Sequence, residues 1–126
     1  MTTSVPASLR TWFVVHAVVD LLFAVPIMID PAFALTLFGW NNVDPLASRL
    51  VGAALFAIGT ESYLGRNASL ESFRTMLRLK VLWSLSALLG ITLSIMQGSP
   101  VGAWFFLLIF AGFSAVWISY WRRLKR

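Results

Sequence analysis

Four long apolar runs set the limits of what this chain can fold into, because a helix needs about 20 predominantly apolar residues to cross the hydrocarbon of a bilayer. The composition agrees: 59% of the 126 residues are hydrophobic and 12% are charged, more apolar than a water-soluble domain of this size requires. The sequence therefore predicts an all-α fold. We expect an integral membrane four-helix bundle in a single transmembrane domain, 1–126, with spans at about 8–29, 46–64, 72–96 and 101–121.

Proline and polar residues predict where the helices begin and end. Pro31 cannot continue a helix and disfavours helical geometry at Asp30, so the first span ends there. Asp44 followed by Pro45 fits an N-cap and first-turn proline of the second span. The segment 31–40 is too short to cross and too apolar to leave the membrane, which predicts a short interfacial helix. Tryptophans near the predicted span ends fit an aromatic belt: Trp12, Trp40, Trp104, Trp117 and Trp121.

Small residues indicate how the helices meet. On the third span, which Asn67 or Ser69 can cap, Ser86, Gly90 and Ser94 recur every four residues. Such ridges let helix backbones approach closely in lipid. We expect this ridge to pack within one chain rather than to form a dimer face. The same spacing occurs on the second span, at Ser48, Gly52, Ala53 and Ala57.

The basic residues lie in short clusters between the apolar runs. Those near the span ends are Arg10, Arg66, Arg74, Arg78, Lys80, Arg122, Arg123, Lys125 and Arg126. The connections 30–45 and 97–100 contain none, so the positive-inside rule places both termini and the second connection in the cytoplasm. Because the basic residues do not follow one face of a folded domain, the net charge of +5 does not predict a nucleic-acid partner.

The first apolar run carries a histidine and an aspartate in its middle, His16 and Asp20. Their i, i+4 spacing places both on one face of a helix, about one turn apart. A charged side chain at mid-bilayer costs from about 2.5 to above 10 kcal/mol, so it normally faces the bundle interior and has a partner. We therefore expect both side chains to point inward.

The next helices offer partners for this pair. Because the first two helices run antiparallel, Arg49 can reach toward Asp20, and Glu61 lies at about the depth of His16. Arg74 and Arg78, which share a face of the third helix, compete for Glu61, and Lys80 can join the cluster. The candidate ligand-binding or proton-relay residues are therefore His16, Asp20, Arg49, Glu61 and Arg78.

This cluster has two interpretations. It can be the floor of a ligand pocket or part of a proton path, with His16 the residue most able to change charge near neutral pH. It can equally be a set of mutually satisfied ion pairs that fix which helix faces which. Arg49 has a further alternative, since it lies close enough to the outer surface to reach lipid headgroups.

For function we favour a non-enzymatic membrane protein whose inward polar cluster stabilises the bundle or binds a lipophilic or cationic small molecule. A proton-coupled small transporter or channel subunit, using Asp20 or Glu61, is the first alternative. The second is a small isomerase-like enzyme acting on a lipid or sterol-like substrate, with His16 and a carboxylate as acid and base.

No set of catalytic residues stands out. One histidine and no cysteine leave too few ligands for a metal site, and no cofactor is predicted. Expected partners are membrane lipids, and a homo-oligomer or a partner membrane subunit is compatible with the sequence.

The stretch LFGWNNVDPLASRLVGAALFAIG, residues 37–59, resembles the pattern of small bacterial four-helix membrane proteins of the DoxX-like and DUF4345-like group. The matching residues are Pro31, Leu37, Phe38, Gly39, Asp44, Pro45, Leu46, Ala47, Arg49, Leu50, Gly52, Ala53 and Gly59. The resemblance implies the four-span architecture and a location in the bacterial plasma (inner) membrane. It implies little about activity.

Two fainter resemblances concern the acidic residues. His16, Asp20 and Glu61 are the residues to compare with the sterol-isomerase and sigma-2-receptor-like membrane fold, in which acidic residues face a lipophilic pocket. The chain is also similar in length to small multidrug exporters, which carry one carboxylate in the first helix. The dual-topology members of that group need a nearly balanced charge distribution, so the strong inner bias of this chain argues against membership.

Overall fold

A computed structural model describes residues 4–124, and all regular structure in that range is helical. The helices are α1 (Ala7–Ile29), α2 (Pro31–Thr36), α3 (Pro45–Leu64), α4 (Leu70–Met96) and α5 (Gly102–Leu124). Lys125 and Arg126, which contribute to the predicted cytoplasmic charge, lie outside the described residues. The prediction of an all-α chain is therefore confirmed over residues 4–124.

Three of these helices, α1, α4 and α5, are long and apolar enough to cross a membrane. The described chain thus has the helices of a membrane protein. The 20-residue helix α3 is not among the three, because Arg49 near its beginning and Glu61 near its end interrupt its apolar sequence.

Aspartates begin the two helices that start with proline. The Asp44 carboxylate accepts hydrogen bonds from the backbone N–H groups of Leu46 (2.9 Å) and Ala47 (3.2 Å), which confirms the predicted cap of α3. Asp30 caps α2 in the same way by accepting from the Phe33 N–H at 3.2 Å. Both helices therefore begin where local side-chain chemistry satisfies their first backbone donors.

The two ends of α4 also follow from local chemistry. Ser69, rather than Asn67, caps this helix, because its Oγ accepts from the Ser72 N–H at 3.3 Å. After α4 the chain turns at Gly98, whose φ of +95° lies in the left-handed region that favours glycine. This turn leads directly into α5.

Helix α2 is shorter than the predicted interfacial segment 31–40, because it ends at Thr36 and a turn follows. The turn carries Phe38, whose ring lies 6.1 Å from that of Phe23 on α1. Phe33 and Leu37 remain exposed. Beside the end of α1, the chain thus presents a short apolar surface.

The chain divides into two compact units, and Arg10–Asn67 forms one of them. At one end of this unit, the Arg10 guanidinium donates to the carbonyl of Arg66 at 2.7 Å. At the other end, Arg49 Nε donates to the carbonyl of Met28 at 3.0 Å. Helices α1 and α3 therefore run antiparallel, and an arginine side chain links them at each end. The buried residues of the two helices recur at helical spacing: Phe13, His16, Ala17, Asp20, Ala24, Ile27, Gly52, Leu55, Gly59 and Ser62.

The other unit consists of the described parts of Met1–Leu9 and Ala68–Arg126, which contain α4, α5 and the first turn of α1. The Ser8 hydroxyl lies 2.5 Å from the Tyr120 hydroxyl, which ties the beginning of α1 to the last turns of α5. The buried residues of α4 and α5 in this unit are Phe73, Leu77, Lys80, Ser84, Gly102, Ala103, Ser114, Trp117, Tyr120 and Leu124.

Aromatic contacts hold α4 and α5 together as an antiparallel pair. The Trp83 and Phe110 rings meet edge to face at 6.0 Å, and the Lys80 ammonium lies 4.8 Å from the centroid of Trp117. Trp117 also stacks on Phe113 and is 1% exposed. The expectation that Trp117 belongs to an interfacial belt is therefore wrong, since this ring is part of the core.

The small-residue ridge on α4 does not pack against other residues of its own unit. Ser86, Gly90 and Ser94 are all exposed, and a Cβ built on Gly90 would meet nothing within 4 Å. Within this unit the ridge is therefore not a packing surface, and its packing within the whole chain stays a prediction. Close approach occurs instead on α3, at Gly52 and Gly59, where added Cβ atoms would meet α1 at 3.0 Å and 2.7 Å.

Candidate functional site

His16 and Asp20 lie together on the buried face of α1. The His16 Nε2 atom is 3.3 Å from Asp20 Oδ1, and each residue is 4% exposed. Two successive turns of one helix position the pair, as the i, i+4 spacing predicts. The expectation that both side chains point away from the surface is confirmed.

The second carboxylate oxygen of Asp20 is the unusual feature of this site. Asp20 Oδ2 is fully buried and has no hydrogen-bond partner among the described residues. A buried polar atom without a partner is costly, and the cost rises when the group is charged. Of the two carboxylate oxygens of Asp20, only Oδ1 therefore has a polar contact, which is with His16.

Gly59 of α3 packs directly against Asp20. A Cβ built on Gly59 would lie 2.7 Å from Asp20 Cβ and 3.4 Å from Asp20 Oδ2. Only a residue without a side chain lets α3 approach so closely here. Gly59 is not among the site residues that the sequence predicts. The sequence did show a glycine in the interior of a predicted helix. Such a glycine lowers helix stability by about 1 kcal/mol relative to alanine, which suggests that close packing requires it.

Arg49 does not pair with Asp20. Its guanidinium is exposed and donates to the carbonyls of Met28 (3.0 Å) and Ile29 (3.5 Å) at the end of α1. Met28 is eight residues beyond Asp20, which is about 12 Å along a helix. The predicted pairing is therefore wrong, because the last carbonyls of a helix lack intrahelical donors and attract a cation.

Glu61 and Arg78 are also outside the buried pair. Both side chains are exposed, Glu61 on α3 and Arg78 on α4. Neither forms an ion pair with any residue in the described range. Of the five candidates, His16 and Asp20 are buried, whereas Arg49, Glu61 and Arg78 are exposed, so a site made of all five residues stays a prediction.

The α4–α5 unit contains polar side chains of its own. Lys80 is 3% exposed and lies over the Trp117 ring, and buried Ser84 donates to the backbone carbonyl of Val81 at 3.3 Å. Ser114 Oγ is buried without a hydrogen-bond partner in the described chain. Lys80 was expected near the cluster, and Ser114 was not among the predicted residues. The i, i+3 spacing of Ser114 and Trp117 places both on one helix face, and this spacing could have indicated that Ser114 is buried.

The chemistry open to the His16–Asp20 pair is proton exchange. An imidazole nitrogen and a carboxylate oxygen that lie 3.3 Å apart can exchange a proton without moving far. Within residues 4–124, no three histidine, aspartate or glutamate side chains come together as a metal site would require. Comparisons of this chain with family models, curated proteins and solved structures find no match.

Proposed function

We propose that this protein spans the bacterial plasma (inner) membrane four times, with α3 as the additional span and both termini in the cytoplasm. The bonds at Arg10 and Arg49 support this arrangement, because they hold α3 alongside α1 at both ends. Twenty helical residues extend about 30 Å, the thickness of the hydrocarbon. The exposed apolar residues Phe33 and Leu37 support an interfacial position for α2.

The resemblance of residues 37–59 to the DoxX-like and DUF4345-like group supports the same architecture. That stretch contains Asp44, Arg49 and Gly59, which here cap α3, bond the end of α1 and admit Asp20. The stretch 37–59 thus contains the residues that position α3 against α1. Membership in this group is part of the proposal.

The function that the site supports best is reversible proton binding by His16 and Asp20, in a proton-coupled transporter or channel subunit. The observation that carries it is the buried, unpartnered Oδ2 of Asp20. An ion pair that serves only stability needs good geometry and satisfied remaining lone pairs in a low-dielectric interior. Taking up a proton removes the charge from a carboxylate that lacks a second partner.

The packing around Asp20 favours a proton over a larger ligand. Gly59 of α3 lies against the Asp20 side chain so closely that an added methyl group would overlap it. A lipophilic or cationic molecule would need space on that side, whereas a proton needs none. We therefore place proton binding ahead of ligand binding.

Proton flux into liposomes tests the proposal. The purified protein is reconstituted with an entrapped pH-sensitive dye, and a pH gradient is imposed. We expect Asp20→Asn to abolish the protein-dependent flux, because asparagine cannot bind and release a proton. Glu61→Gln removes an exposed carboxylate from α3 and is the matched control, with flux like that of the wild type.

Infrared difference spectra provide a second readout that does not need transport. A pH step should change the signal of a protonated carboxyl group in the wild-type protein and in Glu61→Gln. The four exposed acids still contribute carboxyl signals in Asp20→Asn, so the expected change is the loss of the one component that Glu61→Gln retains. Undiminished flux and an unchanged carboxyl signal in Asp20→Asn would show that Asp20 is not the proton-binding group.

A further inference from the structure

A shallow depression lies on one face of α5, close to the C-terminal end of the helix. Its lining residues are Ala115, Ile118, Ser119, Arg122 and Arg123. Ala115 and Ser119 are one turn apart, and their short side chains leave the surface low between longer neighbours. The depression is apolar at the end nearer the middle of α5 and basic at the other.

The basic end of this depression has no acidic partner in the described chain. Arg122 and Arg123 are exposed, and no described carboxylate pairs with either. The Arg123 guanidinium lies 5.1 Å from the Tyr120 ring centroid, a cation–π contact that restrains the group but leaves its N–H donors free for a ligand. The only acid between residues 68 and 124 is Glu71, at the beginning of α4.

We propose that this depression binds the phosphate group of an anionic phospholipid in the cytoplasmic leaflet. The inference rests on the proposed topology, which places the end of α5 at that surface. Arginine side chains match phosphate through paired N–H donors, and the Ser119 hydroxyl supplies a further donor beside them. Cytoplasmic leaflets attract basic residues because they carry anionic lipids.

The order of residues along α5 favours a lipid over free phosphate. Ala115 and Arg122 are seven residues apart, which is about 10 Å along a helix. A lipid bound by phosphate at the arginines can therefore lay the upper part of an acyl chain along Ile118 and Ala115. Inorganic phosphate would use only the basic end.

Native mass spectrometry of the protein released from detergent micelles measures this binding. The protein is titrated with phosphatidylglycerol, phosphatidylcholine and inorganic phosphate. We expect phosphatidylglycerol to bind more tightly than the other two. Arg122→Gln should weaken its binding about fivefold, and the double change with Arg123→Gln about 25-fold. A micelle has no inner and outer side, so altered topology of the variants does not affect the comparison.

Two further variants separate a site from general attraction. Arg78→Gln removes an exposed arginine of α4 that does not line the depression, and we expect less than about a twofold effect. Ser119→Leu fills the depression without changing charge and should weaken phosphatidylglycerol binding.

Three results would overturn the lipid site: equal binding of phosphatidylcholine, equal losses in Arg78→Gln and Arg122→Gln, or displacement of the lipid by inorganic phosphate at the same concentration. Failure of the proposed topology is recognised separately. In that case the chain would not fractionate with membranes, or its connections would label on the wrong sides.

Discussion

Asp20 differs from the other acidic residues of this chain in what surrounds its carboxylate. Asp30 and Asp44 are exposed and accept backbone N–H bonds at helix starts, while Glu61 and Glu71 are exposed on helix surfaces. Asp20 is 4% exposed and has a partner on one oxygen only. Its replacement therefore tests the interior of the protein, whereas Glu61 and Glu71, which cap no helix, provide surface controls.

A double-mutant cycle tests which residue Asp20 interacts with. Because Arg49 bonds carbonyls at the end of α1, we expect Asp20→Asn and Arg49→Gln to change the free energy of unfolding additively, within about 0.3–0.5 kcal/mol. Asp20→Asn and His16→Gln share a contact at 3.3 Å and should show a coupling of about 0.5–3 kcal/mol. Thermal unfolding in detergent micelles measures all the variants.

The opposite pattern would contradict the assigned contacts. If Arg49→Gln recovered stability lost in Asp20→Asn, the two side chains would interact despite their separation along α1. If His16 and Asp20 behaved independently, their 3.3 Å contact would contribute nothing measurable to the stability of the folded state.

The sequence could predict the burial of His16 and Asp20 but not the positions of Arg49 and Glu61. A short polar side chain in the middle of an apolar helix has one low-energy direction, toward the protein interior. A long side chain near a helix end can reach several acceptors. Arg49 uses the free carbonyls at the end of α1, a choice that depends on where α3 lies beside α1.

At the scale of helices, two glycines determine how closely α3 approaches α1. A Cβ at Gly59 would lie 2.7 Å from Asp20 Cβ, an atom close to the α1 backbone. A Cβ at Gly52 would meet the Met28 side chain at 3.0 Å, and a flexible methionine can shift. The two positions should therefore respond differently to the same added methyl group.

We expect Gly59→Ala to lower the free energy of unfolding by about 1–3 kcal/mol, because the overlap forces α3 away from α1. Gly52→Ala should cost less. Gly90→Ala on α4 is the control, since nothing lies within 4 Å of the added atom and alanine favours a helix by about 1 kcal/mol. Thermal unfolding of the three variants checks the order, and equal melting of Gly59→Ala and Gly90→Ala would contradict it.

The element ends were predictable because their chemistry is local. Asp44 and Ser69 cap helices whose first N–H groups lie two or three residues away in sequence. The packing faces were less predictable. Trp117 and Gly90 both lie within long apolar runs, and position in such a run does not show which residues face another helix. Trp117 is buried beneath Lys80, whereas Gly90 is exposed. This difference depends on which helices pack beside each residue.

At the scale of the whole molecule, the number of membrane crossings determines whether the two termini lie on the same side of the membrane. Arg10 near the beginning of α1 and Arg122 with Arg123 at the end of α5 favour the cytoplasm for both. Termini on one side require an even number of spans. Because α1, α4 and α5 are the three described helices apolar enough to cross, the proposed even count requires α3, which is long enough, as a fourth span.

Single-cysteine labelling tests this count directly, because the natural chain contains no cysteine. We expect Asn42→Cys and Gln97→Cys to react with a membrane-impermeant maleimide in intact spheroplasts, since both lie in connections free of basic residues. Asn67→Cys should react only after permeabilisation, and reaction of all three after permeabilisation is the control for accessibility. Because Asn42 and Asn67 flank α3, labelling of both from the same side would mean that α3 does not cross and that the termini lie on opposite sides.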